Sequence, residues 1–329
     1  MVARDGPDNR MGGCAFHWGF EATANTERQH AMSDVTERQV SRRQVLSLGL
    51  ALAGGVVAVG PQTGRTEETG KRKDTTRWAF VSDTHIASNP DNRFRGFYPY
   101  QNLQKIVAEI ASDLPDGMVI TGDVSRSRGG MKAYENVKTL LSPITQKRPT
   151  YLALGNHDHR GDFLQAFEGP ADSGEAVKDK HVLTAMAGPV RMTVLDTLLY
   201  VNMFPGLLGK SQREWLATYL RVCDDTPMIL FFHHTPRADL LDTRRLFDII
   251  APIKKVKAVV YGHSHKYEFC ETEGIALINL PAAGYNFTHV QPVGWVEARL
   301  SPEAGEFILH AVGGSAKQDG RATLVRWRT

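Results

Sequence analysis

Three cysteines in 329 residues are too few for a disulfide framework, and no CxxC pair offers a thiolate zinc site. Neither charge sign dominates: 39 basic against 36 acidic residues leave a net of +3, which provides no general field for nucleic acid, and no nucleic-acid partner is expected. Glycine and proline, at 30 and 16, are too sparse for a collagen-like or low-complexity chain. An apolar content of 42% excludes wholesale disorder. What is left is an ordinary globular composition, enough for one large domain or two small ones. Against that background the chain carries 12 histidines, and their positions are not scattered.

A membrane-spanning run is also missing. Val45 to Gly60 is uncharged for 16 residues, short of the roughly 20 that cross a bilayer, and it is interrupted by glycine. With Arg42 and Arg43 just before it, the stretch reads as the apolar core of an export signal. Ser41-Arg42-Arg43-Gln44-Val45-Leu46 resembles the twin-arginine export motif of bacteria, which implies the twin-arginine export machinery as a partner and a periplasmic or cell-envelope location. Ala58-Val59-Gly60 is an imperfect cleavage site; cut there, the protein keeps no stable membrane span, and uncut it keeps a weak tether. Met1–Ala31 has no periodicity and reads as an over-extended start or an extension ahead of a leader beginning at Met32. The expected organisation is an extension and signal over 1–60, a polar linker over 61–76 and one folded domain over 77–329.

From Trp78 onward, short apolar runs end abruptly in ligand-type residues: WAFVSDTH (78–85), GMVITGD (117–123), TYLALGNHD (150–158), PMILFFHH (227–234) and AVVYGHSH (258–265). Such runs predict strands covered on both faces. Between them, Tyr100–Ser112, Tyr134–Leu141 and Gln212–Val222 carry apolar residues at helical period. The alternation predicts an α/β architecture, with the polar tips converging on one rim beyond the carboxyl ends of the strands.

One aspartate after a strand is a turn residue, and one histidine is a packing residue. Five consecutive runs ending this way are a site. The tips supply Asp83, His85, Asp123, Asn156, His157, Asp158, His233, His234, His263 and His265. Carboxylate and imidazole without thiolate favour ions such as Fe, Mn or Zn. The donors suffice for two ions if one carboxylate is shared, and Asp123 is the natural bridge. An extended backbone would point both members of Asp83-Thr84-His85, and of His263-Ser264-His265, the same way. Adjacent His233 and His234 should point oppositely, so one of the two ligates.

The ordered set of D-x-H (Asp83, His85), GD (Gly122-Asp123), GNHD (Gly155 to Asp158), a strand-end histidine before proline (His233, Pro236) and GHxH (Gly262 to His265) resembles the calcineurin-like metallophosphoesterases. The resemblance implies a four-layer α/β/β/α sandwich, two mixed sheets flanked by helices, and a dinuclear centre of two divalent or trivalent ions. It implies Asp83, His85, Asp123 and His265 on one ion and Asp123, Asn156, His233 and His263 on the other. It also implies His157 as the group that contacts phosphate and protonates the leaving oxygen, with Asp158 orienting His157 through a hydrogen bond. The activity implied is hydrolysis of a small-molecule phosphodiester or phosphomonoester by a metal-bridging hydroxide. A catalytically inactive, metal-bound envelope binding protein on the same scaffold is the alternative.

Arg126 stands where purple acid phosphatases carry a tyrosine ligand, and GDVSRSRG does not match the GDxVDRG of protein phosphatases. The remaining likeness, through LGNHDHR and NLPAAGYNF, is to the cyclic-nucleotide-phosphodiesterase-like branch. Arg126, Arg128 and Arg160 read either as phosphate contacts or as solvated loop charges, and His159 as a pocket or a surface residue. The apolar loop Met203–Lys210 reads first as core packing, second as a cleft wall. Cys223 and Cys270 read as one disulfide or two thiols, and Thr323–Trp327 as an edge strand.

Overall fold

The computed structural model describes residues 74–167 and 176–329; the export signal, the expected cleavage site and Met1–Ala31 lie outside the described residues. The chain lays down β1 (Thr76–Val81), α1 (Pro99–Ser112), β2 (Gly117–Ile120), α2 (Met131–Thr145), β3 (Thr150–Leu152) and α3 (Arg160–Phe167). It continues with β4 (Leu183–Ala187), β5 (Val190–Val194), α4 (Lys210–Val222), β6 (Met228–Phe231), α5 (Thr243–Ile250), β7 (Val256–Tyr261), β8 (Glu268–Thr272) and β9 (Ile275–Asn279). The last strands are β10 (Pro292–Leu300), β11 (Ala304–Gly314) and β12 (Ala322–Arg326).

These strands form two mixed sheets, in the orders β12-β11-β10-β1-β2-β3 and β4-β5-β6-β7-β9-β8. Strand alternation explains why they stack. In β1, Trp78 and Phe80 face a core shared with Ile229 and Phe231 of β6 and Val260 of β7, while Ala79 and Val81 face the helices α1, α2 and α3. In the second sheet Leu230 and Val259 turn the other way, onto α4 and α5. Both faces of each central strand are covered, so the runs are apolar throughout and not alternating. The result is helices, sheet, sheet, helices: the four layers expected.

The helices follow their apolar spacing and extend beyond it. Pro99 opens α1 at a position where its missing N–H costs nothing. α2 runs from Met131 to Thr145, past both ends of the expected Tyr134–Leu141, and passes through Pro143. The carbonyl that Pro143 cannot reach, Thr139 O, accepts a bond from Ser142 Oγ at 2.9 Å. Thr76, counted with the linker, opens β1. β12 is the expected edge strand. Among the described residues no helix is long and apolar enough to cross a membrane.

One expectation needs correcting. The five ligand runs do not end on the rim of one sheet. Three belong to the first sheet and two to the second, and the tips meet because the sheets are stacked with those carboxyl ends on the same side.

Candidate metal centre

The loops that follow β1 and β2 are joined by backbone bonds, Asp83 N to Gly122 O at 3.1 Å and His85 N to Asp123 O at 2.9 Å. In the second sheet Gly262 N reaches His233 O at 3.1 Å. The backbone here is not extended, as the two-residue spacing had suggested. Asp83, His85, Asp123, His263 and His265 have φ of 51°, 48°, 48°, 69° and 54°, in the left-handed region that side chains normally avoid. Five such residues at one place are strain held by the surrounding core. Glycine makes the approach feasible: Gly122 has φ 106°, and a Cβ on it would lie 2.8 Å from Gly155 N and 2.9 Å from the His233 ring.

Each carboxylate is divided between two tasks. Asp83 Oδ2 accepts from Ser82 Oγ at 2.5 Å and from the His263 backbone N–H at 3.0 Å, which ties the second sheet's loop to the first sheet. Asp123 Oδ1 accepts from His157 N at 2.8 Å. The other oxygens face the histidines. Asp83 Oδ1 lies 3.2 Å from His265 Nε2 and 3.7 Å from His85 Nε2. Asp123 Oδ2 lies 3.7 Å from His85 Nε2 and 3.3 Å from His233 Nε2, between the two groups. His233 Nε2 is in turn 3.2 Å from His263 Nδ1. Asp83, His85 and His265 form one potential metal-holding group and Asp123, His233 and His263 a second; His85, Asp123 and His157 overlap both, and within each group the ligand atoms lie within 4.8 Å of one another.

The donor chemistry fits a pair of cations. His265 Nδ1 is 2.7 Å from Tyr285 O and His233 Nδ1 is 3.0 Å from Thr121 O. A carbonyl only accepts, so Nδ1 carries hydrogen in both rings and Nε2 is turned toward the centre. The nitrogens of His85 and His265 then face each other at 3.1 Å. Asp83 Oδ1 and Asn156 Oδ1 are buried with no hydrogen-bond partner. Buried oxygens with no donor, beside imidazole nitrogens that face one another, are groups a cation would satisfy.

The titration behaviour agrees. Burial opposes ionisation of Asp83 and Asp123, yet the neighbouring histidines hold both below the usual carboxylate range. Burial pushes His85 down to about 3 and His263 down to about 4, which keeps both rings neutral and ready to donate a lone pair. His233 goes the other way: burial lowers it, but Asp123 and Asp83 bring it up to about 9. The carboxylates hold a proton there that a metal ion would displace.

His233 is in one of the potential metal-holding groups, and His234 is in none of those formed by the described residues. The His234 ring turns away, with Nδ1 2.8 Å from Thr197 Oγ1. This is the opposed pointing expected of neighbours. His157 stands at the rim, its ring centroid 5.2 Å from that of His85. The hydrogen bond expected from Asp158 to His157 is not formed. Asp158 is fully buried, and its carboxylate accepts from the backbone N–H of Val124, Ser125 and Gly155 at 3.1, 3.0 and 2.9 Å and from Tyr134 Oη at 3.1 Å. It fastens the GD and GNHD loops together; burial and Asp123 push it up to about 6. His157 Nδ1 is held by Asn202 Oδ1 at 2.8 Å, a partner that no motif marks.

The outlying candidates separate cleanly. Arg160 is taken by buried Asp196, with Nε at 2.7 Å from Oδ2, and is a structural cation. Arg126 lies over the Phe94 ring at 4.0 Å and bonds Asn92, on the side of the centre lined by Tyr285. His159 is exposed and bonded to Asp162 N, a surface residue. The loop read first as core packing is divided: Leu208 is buried, but Phe204 is 65% exposed with its ring 4.6 Å from His263. Phe287, 48% exposed, stacks on His265 at 4.3 Å. Cys223 and Cys270 are not joined in a disulfide.

Comparison with known proteins agrees with this arrangement. Residues 76–267 match the family described as calcineurin-like phosphoesterase. A probable cyclic nucleotide phosphodiesterase of Rhodopseudomonas palustris is 30% identical over 259 residues, covering 71% of this chain and 91% of that one. The 3',5'-cyclic adenosine monophosphate phosphodiesterase CpdA of Pseudomonas aeruginosa is 28% identical over 219 residues, covering 63% and 76%. Among solved structures, a dimetal phosphatase from Danio rerio superposes with a TM-score of 0.58 at 14% identity, over 77% of this chain and 99% of that one. With the two stacked sheets and the clustered His and Asp groups between their ends, the chain belongs to the calcineurin-like phosphoesterases, hydrolases acting on phosphoric ester bonds.

Proposed function

We propose that the protein is a two-metal phosphodiesterase whose substrates are small diesters of the cyclic-nucleotide kind. The observation that carries the two-metal reading is the position of Asp123 Oδ2, facing a histidine of each group at 3.7 and 3.3 Å. Asp83, His85, Asp123 and His265 would hold one ion, and Asp123, Asn156, His233 and His263 the other. Ions of the Fe, Mn or Zn type bound there supply Lewis acidity toward phosphoryl oxygens and acidify water. The chain's own residues do the rest. His157 presents Nε2 beside the centre and, protonated there, gives its proton to the leaving oxygen. Asp158 keeps the loops carrying Asp123 and His157 in one position.

The cyclic-nucleotide reading draws on the two named relatives and on Phe204 and Phe287, exposed rings against His263 and His265 that suit a planar group on the ester. The inactive binding-protein alternative leaves unexplained why every donor position keeps a ligand-type residue. The test is a panel of cyclic nucleotides, aryl diesters and monoesters assayed with Mn, Fe and Zn. Metal-dependent cleavage of diesters is expected; metal-replete protein inert toward all of them refutes the reading.

We also propose export by the twin-arginine route to the periplasm or envelope, on the strength of Ser41–Leu46 and the uncharged stretch behind it. Fractionation of bacteria expressing the full chain, beside a variant with Arg42→Lys and Arg43→Lys, tests it. An unchanged distribution refutes it.

A further inference from the structure

Asn202 makes two contacts to the GNHD loop, and each needs something particular of the residue. Its backbone N–H donates to Asn156 O at 2.6 Å. Its side-chain oxygen accepts from His157 Nδ1 at 2.8 Å. Both are made from φ 60°, a left-handed conformation that asparagine tolerates better than most residues. The segment that carries it lies between β5 and α4, on the second sheet, whereas His157 follows β3 of the first. One residue therefore holds two neighbouring site residues across the boundary between the sheets.

We propose that Asn202 is the positioning residue of His157, the part the resemblance had implied for Asp158. An amide oxygen only accepts, so the bond places hydrogen on Nδ1 and turns Nε2 toward the centre. When the proton on Nε2 passes to the departing oxygen, the ring returns to its neutral Nδ1–H form without rotating. Asp158 cannot do this, since its oxygens are committed to Val124, Ser125, Gly155 and Tyr134. The other acceptor near His157 Nδ1, Ser127 O at 3.4 Å, is too distant to fix the ring alone. The catalytic purpose rests on the proposed role of His157; the hydrogen bond and its tautomer do not.

Two readouts keep those parts separate. In histidine-labelled protein, nitrogen–proton correlation spectra, assigned with His157→Gln, should show the Nδ1–H tautomer of His157 in wild type and in Asn202→Asp. Asn202→Ala should show a mixture. In parallel, rates on methyl aryl phosphodiesters with graded leaving groups should fall about 10- to 100-fold in Asn202→Ala for the poorest leaving groups. They should change little for 4-nitrophenolate, which leaves unaided, and Asn202→Asp should recover most of the loss. A His157 tautomer identical in all variants, or carrying hydrogen on Nε2 in wild type, overturns the positioning bond. An equal loss for every leaving group, or no recovery with aspartate, overturns the proton-transfer purpose. Wild-type protein inert toward every ester overturns the phosphoesterase reading and that purpose with it, while the spectra still decide the bond.

Discussion

Gly122→Ala should break the centre through a side chain that never touches an ion. Gly122 has φ 106°, so any Cβ there incurs a backbone penalty of about 1–3 kcal/mol. The new methyl would also lie 2.8 Å from Gly155 N and 2.9 Å from His233 Cβ and Nδ1. Nothing there is the loose end of a flexible chain. One neighbour is backbone of the GNHD loop; the other is a ring fixed by Thr121 O at 3.0 Å. Overpacking of this kind costs a further amount of about 1–3 kcal/mol. Gly130→Ala is the matched control, because Gly130 has φ 113° and nothing within 4 Å of the added Cβ. The two variants share the backbone term and differ in the intrusion. Urea unfolding should therefore place Gly122→Ala about 1–3 kcal/mol below Gly130→Ala. Only Gly122→Ala should lose metal, read by elemental analysis after dialysis, because it displaces His233. Equal destabilisation of the two variants, or full metal content and activity in Gly122→Ala, would refute the reasoning.

Asp123→Ala should lower the metal content by two ions per chain, whereas His233→Ala and His265→Ala should each lower it by about one; elemental analysis of the three decides it. Arg328 donates to the carbonyls of Ile250, Ala251, Ile253, Val256 and Glu273, so Arg328→Ala should cost about 1–3 kcal/mol in urea unfolding while turnover and metal content stay unchanged. After chelation the protein should be most stable near pH 6.5. His85 and His263, at about 3 and 4 against an ordinary 6.5, bind fewer protons folded than unfolded, so stability falls as pH drops from 6.5 toward 4. His233, at about 9, binds more when folded, and its contribution is lost as pH rises from 6.5 through 9. Asp158, at about 6, opposes the acid-side loss without cancelling two histidines. Melting temperatures of chelated protein across that range check the shape, and a monotonic profile would contradict it.

The candidate ligands were legible because they sit at strand ends, where a run of buried apolar residues gives way to polar ones within two or three positions. Asp83, Asp123, Asn156 and His263 each announce themselves by that break. The helices were legible for the same reason of periodicity, except at their ends, where Ser142 lets α2 continue through Pro143. What could not be read was whatever depends on the two sheets meeting. Asn202 is separated from His157 by 45 residues and belongs to no motif, so nothing local marks it. The resemblance implies Asp158 as the partner of His157; in the folded chain its oxygens are bonded to the loop after β2. Arg160, just past GNHDH, reads as a phosphate contact or a solvated loop charge and is neither, because its partner Asp196 lies 36 residues away and fully buried. Left-handed backbone at five candidate ligands was equally hidden, since aspartate and histidine do not advertise it as glycine does.

The pairing of β1 with β10 sets a clock on synthesis. Thr76 lies opposite Leu300, so the strand that leads into Asp83 and His85 has one of its two neighbours only after roughly 220 further residues have been made, about 10–45 s of translation. Until then the first sheet lacks β10 to β12 and the inner core lacks Phe307 and Leu309. A ribosome-bound chain can display the ligand residues but not the cage. On the two-metal reading, ion loading is expected only once β10 has paired with β1, and truncations beyond β9 should leave a chain with every candidate ligand and no centre.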